Sequence, residues 1–411
     1  MFRYFVCMLF LLVTVPAGAS FSITDTPEGW ASQSGGTTGG GAGGTIITVS
    51  TMSQLQTEAK SSGKKILIVP KGTYTGRLVV SSDKTIVGKE PGVLIQGSVI
   101  VSGASNVILR NFAVKGDRCN SYDECKGGYD AMAIEKSAHH VWLDHLDISD
   151  GQDGNCDVTK AADFVTITWC KFWYSYMKEH RFSNLISSDD NVAEDKGKLN
   201  ITYAYCWWAD KVDQRQPRGR SGKVHVINNL YTSAEASYAC GPGVDIQMLI
   251  ENNVFKNGGS AIEIFDGTPK PAFKSVGNTG TAKNINLNQG TVFTPPYTLS
   301  LKMNANEVES KVKPSAGNTL TLTTTGGHHM VMKNSTSARP FVTAAKGGWI
   351  LYNPSNMAIS FSVMALDGKM VYPVTRLDAC KSYRITQSGM PMLVHFNDAR
   401  IGPDLYIPHV N

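Results

Sequence analysis

The chain has 411 residues, 42% of them apolar and 18% charged, with a formal net charge of +5 at pH 7. That length permits one large elongated domain, or a domain of about 300 residues with a smaller one attached. The mild positive excess suits an anionic partner, but no Lys/Arg run is long enough for nucleic acid, and no stretch approaches about 18 uninterrupted apolar residues, which argues against a membrane span.

The N-terminal residues read as a secretory signal: Arg3 supplies a positive start, 5–15 is an apolar run, and Ala17-Gly18-Ala19 is a small-residue cleavage site. A secreted, extracellular protein beginning near Ser20 is therefore expected. Losing Arg3 lowers the formal charge from +5 to +4, and losing Cys7 leaves seven of the eight cysteines: Cys119, Cys125, Cys156, Cys170, Cys206, Cys240 and Cys380. In an oxidising compartment most should pair, and an odd count leaves one free thiol or an intermolecular bond. Cys119 and Cys125 bracket a short loop that a disulfide could close.

Residues 34–46 are glycine-rich, but no Gly-Lys-Ser/Thr follows, so they read as a flexible or turn-forming segment rather than a phosphate loop. A short helix follows over 52–62, capped by Thr51 or Ser53, and then a strand over 65–70. From there the chain repeats a theme, a short β-rich run followed by Asn, Asp, Gly or Ser. Such runs lie at 106–114, 140–148, 163–172, 199–207, 223–231 and 245–255, recurring at about 23 to 35 residues. A regular strand core with irregular loops is what a parallel β-helix produces, because each rung stacks on the last while its turns vary in length. Cys170 and Cys206 fall at equivalent places in successive runs, within expected disulfide range, and Asn228-Asn229 and Asn252-Asn253 recur at one phase as a stacked ladder. An antiparallel sandwich is the competing architecture, but few connections are the two-residue loops hairpins favour.

After Gly258 the theme fades into a loop-rich stretch, with a short helix expected over 305–312. From about residue 318 the composition changes to Thr-rich alternation, with strand-like runs at 342–352, 359–363, 370–372 and 392–396 and a hairpin turn at Asp367-Gly368. The expected organisation is a signal segment over 1–19, a solenoid domain over 20–317, and a small, sandwich-like β-rich accessory domain over 318–411.

Two clusters carry chemistry. Asp153 and Asp157 lie four apart, Asp130 lies one rung earlier, and stacking would bring the three carboxylates together. Close carboxylates repel unless a cation joins them, and an all-oxygen set selects Ca²⁺ over soft metals. Arg215, Arg218 and Arg220 form the second cluster; on a strand Arg218 and Arg220 would share a face, with Arg215 displaced by the bend at Pro217. His139, His140, His145 and His225 lack paired ligand spacing and read as framework residues, while Trp207 and Trp208 suit either packing or sugar stacking.

Val141-Trp142-Leu143-Asp144-His145, Cys156-Asp157-Val158-Thr159-Lys160, Val165-Thr166-Ile167-Thr168 and Arg215-Gln216-Pro217-Arg218-Gly219-Arg220, in that order, resemble the signature segments of the pectate lyase superfamily. The resemblance covers roughly residues 27–317. It implies a right-handed parallel β-helix that acts as a monomer on polygalacturonate, cleaving its α-1,4 links by β-elimination, with Ca²⁺ bridging enzyme and substrate carboxylate. Carried over by motif, Asp130, Asp153 and Asp157 match the calcium ligands, Arg215 the base, and Arg220 an arginine that binds the substrate carboxylate, with Arg218 supporting. The family's substrate-binding lysine falls here to Lys178 or Arg181, since Lys178 stands one place later than the family's spacing and Arg181 precedes Leu185-Ile186-Ser187, where the family shows Leu-Ile-Gly. The retained acidic cluster favours pectate over methylated pectin. A non-catalytic carbohydrate-binding or adhesion solenoid would show no lyase activity, and a hydrolase of this architecture would need paired carboxylic acids, against which the arginine cluster argues.

Overall fold

The structure is a computed structural model that describes residues 19–41, 43–323 and seven strands between 341 and 407. The expected signal segment up to residue 18, Cys380 and the Asp367-Gly368 turn lie outside the described residues. The chain divides into two compact units, 1–322 and 323–411.

In the first unit nearly every strand pairs in parallel with the strand one rung away. One rung takes His139–Asp144, Asp147–Ser149 and Cys156–Val158; the next takes Asp163–Thr168, Lys171–Trp173 and Leu185–Ile186. Register is kept residue by residue: Val141 sits between Val107 and Val165, and Val165 beside Ile201. A ten-stranded sheet forms one face, and two further faces merge through the long strand Val93–Ser102. This is a right-handed parallel β-helix. The expected architecture is the one observed, and the uneven sequence spacing resides in the loops that follow the second and third strands of a rung.

The corner between the first two strands explains the recurrent pairs. It consists of one residue in left-handed conformation and one facing inward. Asn111, His145, Trp169, Tyr205, Asn228 and Asn252 occupy the first position, with φ between 51° and 61°. Asparagine tolerates this conformation well; bulky residues do so at a cost, which ring stacking offsets where His145, Trp169 and Tyr205 lie at centroid separations of 5.7 and 4.7 Å. The inward position carries Phe112, Leu146, Cys170, Cys206, Asn229 and Asn253 in turn, all fully buried. The asparagines there form the expected ladder: Asn253 Oδ1 accepts from Asn229 N at 2.8 Å, and Asn229 Oδ1 from Cys206 N at 2.7 Å. Inside, Phe172, Trp208, Tyr231 and Phe255 stack at 5.2, 4.8 and 4.4 Å. Trp208 is thus core.

The cysteines correct one expectation. Cys119 and Cys125 are bonded, but Cys156, Cys170, Cys206 and Cys240 are buried free thiols. Cys170 and Cys206 do share a phase, yet side chains at one phase of parallel strands run side by side instead of converging as a disulfide requires. Their thiols turn to carbonyls, Cys170 Sγ to Thr168 O at 3.3 Å and Cys206 Sγ to Ile167 O at 3.4 Å.

The stack is covered by segments that the repeat does not supply. Helix α1 (Met52–Lys60) is capped by Thr51 and buries Leu55 and Ala59; open solenoid ends require such cover. Helix α2 (Tyr122–Lys126) contains Cys125, so the disulfide to Cys119 ties it down. Helix α3 (Ala305–Ser315), longer than the 305–312 expected, begins with a capping box of Asn304 and Glu307 and buries Val308 and Val312 with Ile227, Leu230 and Val254. The glycine-rich segment lies along the ten-stranded face, where Gly40 N donates to Thr85 Oγ1 at 2.9 Å. A Cβ on Gly40 would stand 2.2 Å from Lys65 O, so glycine is what permits the approach.

Asp144 ties this framework together. Its carboxylate accepts from Arg110 Nε at 2.6 Å and Thr168 Oγ1 at 2.7 Å, and meets His145 Nδ1 at 2.8 Å. His225 likewise joins Glu251 at 3.0 Å. In the second unit the described strands form two antiparallel sheets, one of three strands and one of four. Among the described residues no helix is long and apolar enough to cross a membrane.

Candidate active site

One face of the solenoid carries the candidate residues. Its strands run in order Met132–Glu135, Cys156–Val158, Leu185–Ile186, Arg218–Gly219 and Tyr238–Pro242. Pairing aligns Asp157 with Ala133, Val158 with Ile186, and Leu185 with Arg218. Residues far apart in sequence thereby become neighbours across one or two strand spacings of about 4.8 Å.

Asp130 and Asp157 form the acidic part. A Cβ on Gly154 would stand 2.8 Å from Asp130 Oδ1 and 3.0 Å from Asp157 Oδ1, so glycine leaves a gap that both carboxylates border. Asp157 Oδ1 accepts from Leu185 N at 2.9 Å, whereas Asp130 Oδ1 is buried with no hydrogen-bond partner. Burial, then the charges of Asp157 and Asp153, push the Asp130 carboxyl well above its usual range, with Arg215 pulling the other way. Burial likewise raises Asp157 to about 7, against the Leu185 hydrogen bond and Arg215. Two carboxylates so placed are costly to ionise without a cation.

Asp153 is placed differently. Its Oδ1 lies 2.9 Å from His180 Nε2, on a ring held between Tyr122 of α2 and Phe182 at centroid distances of 5.2 and 4.1 Å. Among the described residues no three acidic, His or Cys side chains converge as a ready ligand set. Asp130 and Asp157 are brought together; Asp153 acts on both through its charge while its carboxylate faces His180.

Lys178 and Arg181 both tie loops. Lys178 Nζ donates to Gly151 O at 2.6 Å and Gln152 O at 2.9 Å, and burial lowers its pKa to about 8. Arg181 is buried, with Nε donating to Lys211 O at 2.7 Å and Nη1 to Lys178 O. Both cations fasten the loops that carry Asp153 and His180.

The arginines have distinct settings. Arg215, at φ 62°, lays its guanidinium over the Phe182 ring at 4.4 Å, and its Nε is buried without a partner. Arg218 stacks on Phe265 at 3.9 Å, and burial lowers its pKa. Arg220 pairs with Asp190 and donates to Ser187 O at 3.3 Å. Gly154, His180 and Phe182 were not singled out from sequence. Gly154 was within reach, since it stands between the two aspartates of Asp153-Gly154-Asn155-Cys156-Asp157; nothing local marks the other two.

Comparison with known proteins bears on the family and the fold. The family model described as Pectate lyase matches residues 7–321. A probable pectate lyase B of Aspergillus flavus is 32% identical over 309 residues, covering 71% of this chain and 88% of its own. The pectate lyase plyB of Emericella nidulans is 32% identical over 308 residues, covering 72% and 89%. Among solved structures, a pectate lyase from Bacillus sp. N165 in complex with trigalacturonate superposes with a TM-score of 0.59 at 25% identity, covering 71% of this chain and 98% of that one.

Proposed function

Because the chain belongs to the pectate lyase family, a family of polysaccharide lyases, we propose that it is a secreted, monomeric, calcium-dependent enzyme that cleaves α-1,4-linked polygalacturonate to 4,5-unsaturated oligogalacturonates. The observation that carries this reading is the cradle of Asp130 and Asp157, held open by Gly154 beside Arg215. The orphaned Asp130 oxygen and an all-carboxylate donor set suit a hard divalent cation. Asp130 and Asp157 would hold it, and Asp153, which here faces His180, would join as the third carboxylate by turning from that ring. Calcium bound there supplies positive charge to the substrate carboxylate and stabilises the charge that develops as C5 loses its proton.

The protein's own groups account for the rest. The C5 proton lies α to the uronate carboxyl and passes to a nitrogen of Arg215. The electron pair left behind forms the C4=C5 double bond, and the C4–O bond breaks with its electrons going to the departing chain, whose oxygen takes a proton from water. Arg220, steadied by Asp190, binds the substrate carboxylate as a planar fork; Arg218 braces the strand from its place on Phe265. Phe182 fixes the plane of the Arg215 guanidinium. An arginine stays protonated at ordinary pH, so the reaction is expected to run best under strongly alkaline conditions. We assign the signal to 1–19, catalysis to 20–317 and an accessory β-rich role to 318–411.

The test is ultraviolet absorbance from unsaturated product on polygalacturonate and on highly methylated pectin, each with calcium and with chelator. Absorbance on polygalacturonate that a chelator abolishes supports the proposal. Binding without absorbance favours an adhesion solenoid, and faster cleavage of methylated pectin that persists with chelator favours a pectin lyase.

A further inference from the structure

The acidic cradle does not end at Asp130. It continues toward the N-terminal rungs as a groove of 170 Å³ lined by Arg77, Gln96, Gly97, Tyr129, Asp130 and Gln152, among others. The strand Gly72–Val80 alternates cleanly, with Tyr74, Leu78 and Val80 buried while Thr73, Thr75 and Arg77 are exposed, so Arg77 projects from the same face as the site. Gly76 and Gly97 pair across neighbouring strands, and a Cβ on Gly97 would stand 2.5 Å from Gly76 O. Both glycines line the groove, and their lack of a Cβ is what lets the two backbones approach there.

Arg77 is ordered but unspent. Its guanidinium lies over the Tyr129 ring at 4.5 Å, and among the described residues no carboxylate lies within ion-pair distance of it. Tyr129 is 59% exposed, an unusual setting for a large ring, and its backbone N–H is fixed by Gln152 Oε1 at 3.3 Å. An arginine held by an aromatic ring at the edge of this groove offers its planar fork to an incoming carboxylate. Arg77 lies two strand spacings from the strand that follows Asp130, about 10 Å, and five from that of Arg218, about 24 Å.

We propose that Arg77, positioned by Tyr129, forms a distal subsite that binds the carboxylate of a uronate residue several units from the bond being cleaved. The inference rests on the uronate-polymer reading of the site and names a specificity determinant within it. A long unesterified chain reaches Arg77, whereas trigalacturonate bound at Arg215 is too short to do so. The subsite therefore selects for chain length and for free carboxylates.

The experiment compares the parent with Arg77→Ala and Tyr129→Ala on polygalacturonate and on trigalacturonate. The ratio of KM on the polymer to KM on the trimer is expected to rise about fivefold in Arg77→Ala, the size of an exposed charge pair, and kcat is expected to follow the parent's, as for lost ground-state binding. Arg77→Lys restores part of the effect, which a merely structural role would not show. An unchanged ratio overturns the subsite, as does an equal loss on both substrates. If the parent releases no unsaturated product, the lyase reading fails separately, and retardation in a polygalacturonate-containing gel then reads the subsite: slower migration of the parent than of Arg77→Ala supports it, and equal migration overturns it.

Discussion

Gly154→Ala tests the proposed cation site without removing a ligand. No backbone strain accompanies the change, since Gly154 lies outside the left-handed region, but the new methyl would stand 2.8 Å from Asp130 Oδ1 and 3.0 Å from Asp157 Oδ1. In the cation-free protein Asp130 can swing aside, because that oxygen has no partner to lose; the thermal midpoint should therefore move little. Asp157 is less free, being tied to Leu185 N at 2.9 Å. With the cation bound, both carboxylates must return to the space the methyl occupies, and the conflict falls on the bound state. Overpacking of this kind costs about 1 to 3 kcal/mol, which corresponds to calcium affinity weakened by about fivefold to about 140-fold. Isothermal titration of calcium into parent and variant reads this directly, and the calcium dependence of product formation should shift in parallel. A variant that binds calcium with the parent's affinity would mean the cation does not sit between Asp130 and Asp157.

Three further outcomes are expected. Asp144→Asn should lower stability by about 1 to 3 kcal/mol, because it weakens a charged hydrogen bond to the buried Arg110, which keeps Asp25 at 2.7 Å as its remaining carboxylate partner. Burial favours the neutral acid there, but His145, Arg110 and Thr168 outweigh it and bring Asp144 down to about 2; a depressed acid stabilises above its unfolded value near 4 and loses that contribution as pH falls toward 2, so denaturant midpoints of parent and variant should converge on acidification from pH 7. Asn253→Ala removes the acceptor for Asn229 N in a fully buried ladder and should cost about 1 to 3 kcal/mol, measured by urea unfolding; a loss under about 0.5 kcal/mol would deny the ladder its role. Phe182→Ala takes away the ring beneath Arg215 and should lower kcat about tenfold through misorientation of the base, while an unaltered kcat would show that Arg215 is positioned by other groups.

The solenoid was legible because its corners repeat a two-residue rule. A left-handed residue followed by an inward one gives Asn228-Asn229 and Asn252-Asn253 directly, and it explains why Cys170 and Cys206 share that inward phase. What could not be read was bonding within a phase, since parallel stacking places thiols near each other without aiming them. The aspartates and arginines of the candidate site were picked out from short segments, with Asp157 and Arg218 on strands and Asp130, Asp153, Arg215 and Arg220 in the turns beside them. The orientation of Asp153 was not, because His180 arrives on a loop whose course is set by Lys178, Arg181 and the α2 segment closed by Cys119–Cys125. Helix α2 has only five residues, too few to show a helical period. The glycine-rich segment reads as a turn-former, yet Gly39 and Gly40 serve close approach to the ten-stranded face.

The most direct test of the account is Arg215→Ala, with Arg215→Lys beside it, assayed by ultraviolet absorbance on polygalacturonate with saturating calcium at alkaline pH. The account predicts that Arg215→Ala binds calcium and polymer yet forms unsaturated product at least about a hundredfold more slowly than the parent, the scale of a lost general base. Product formation by Arg215→Ala at the parent's rate would contradict it.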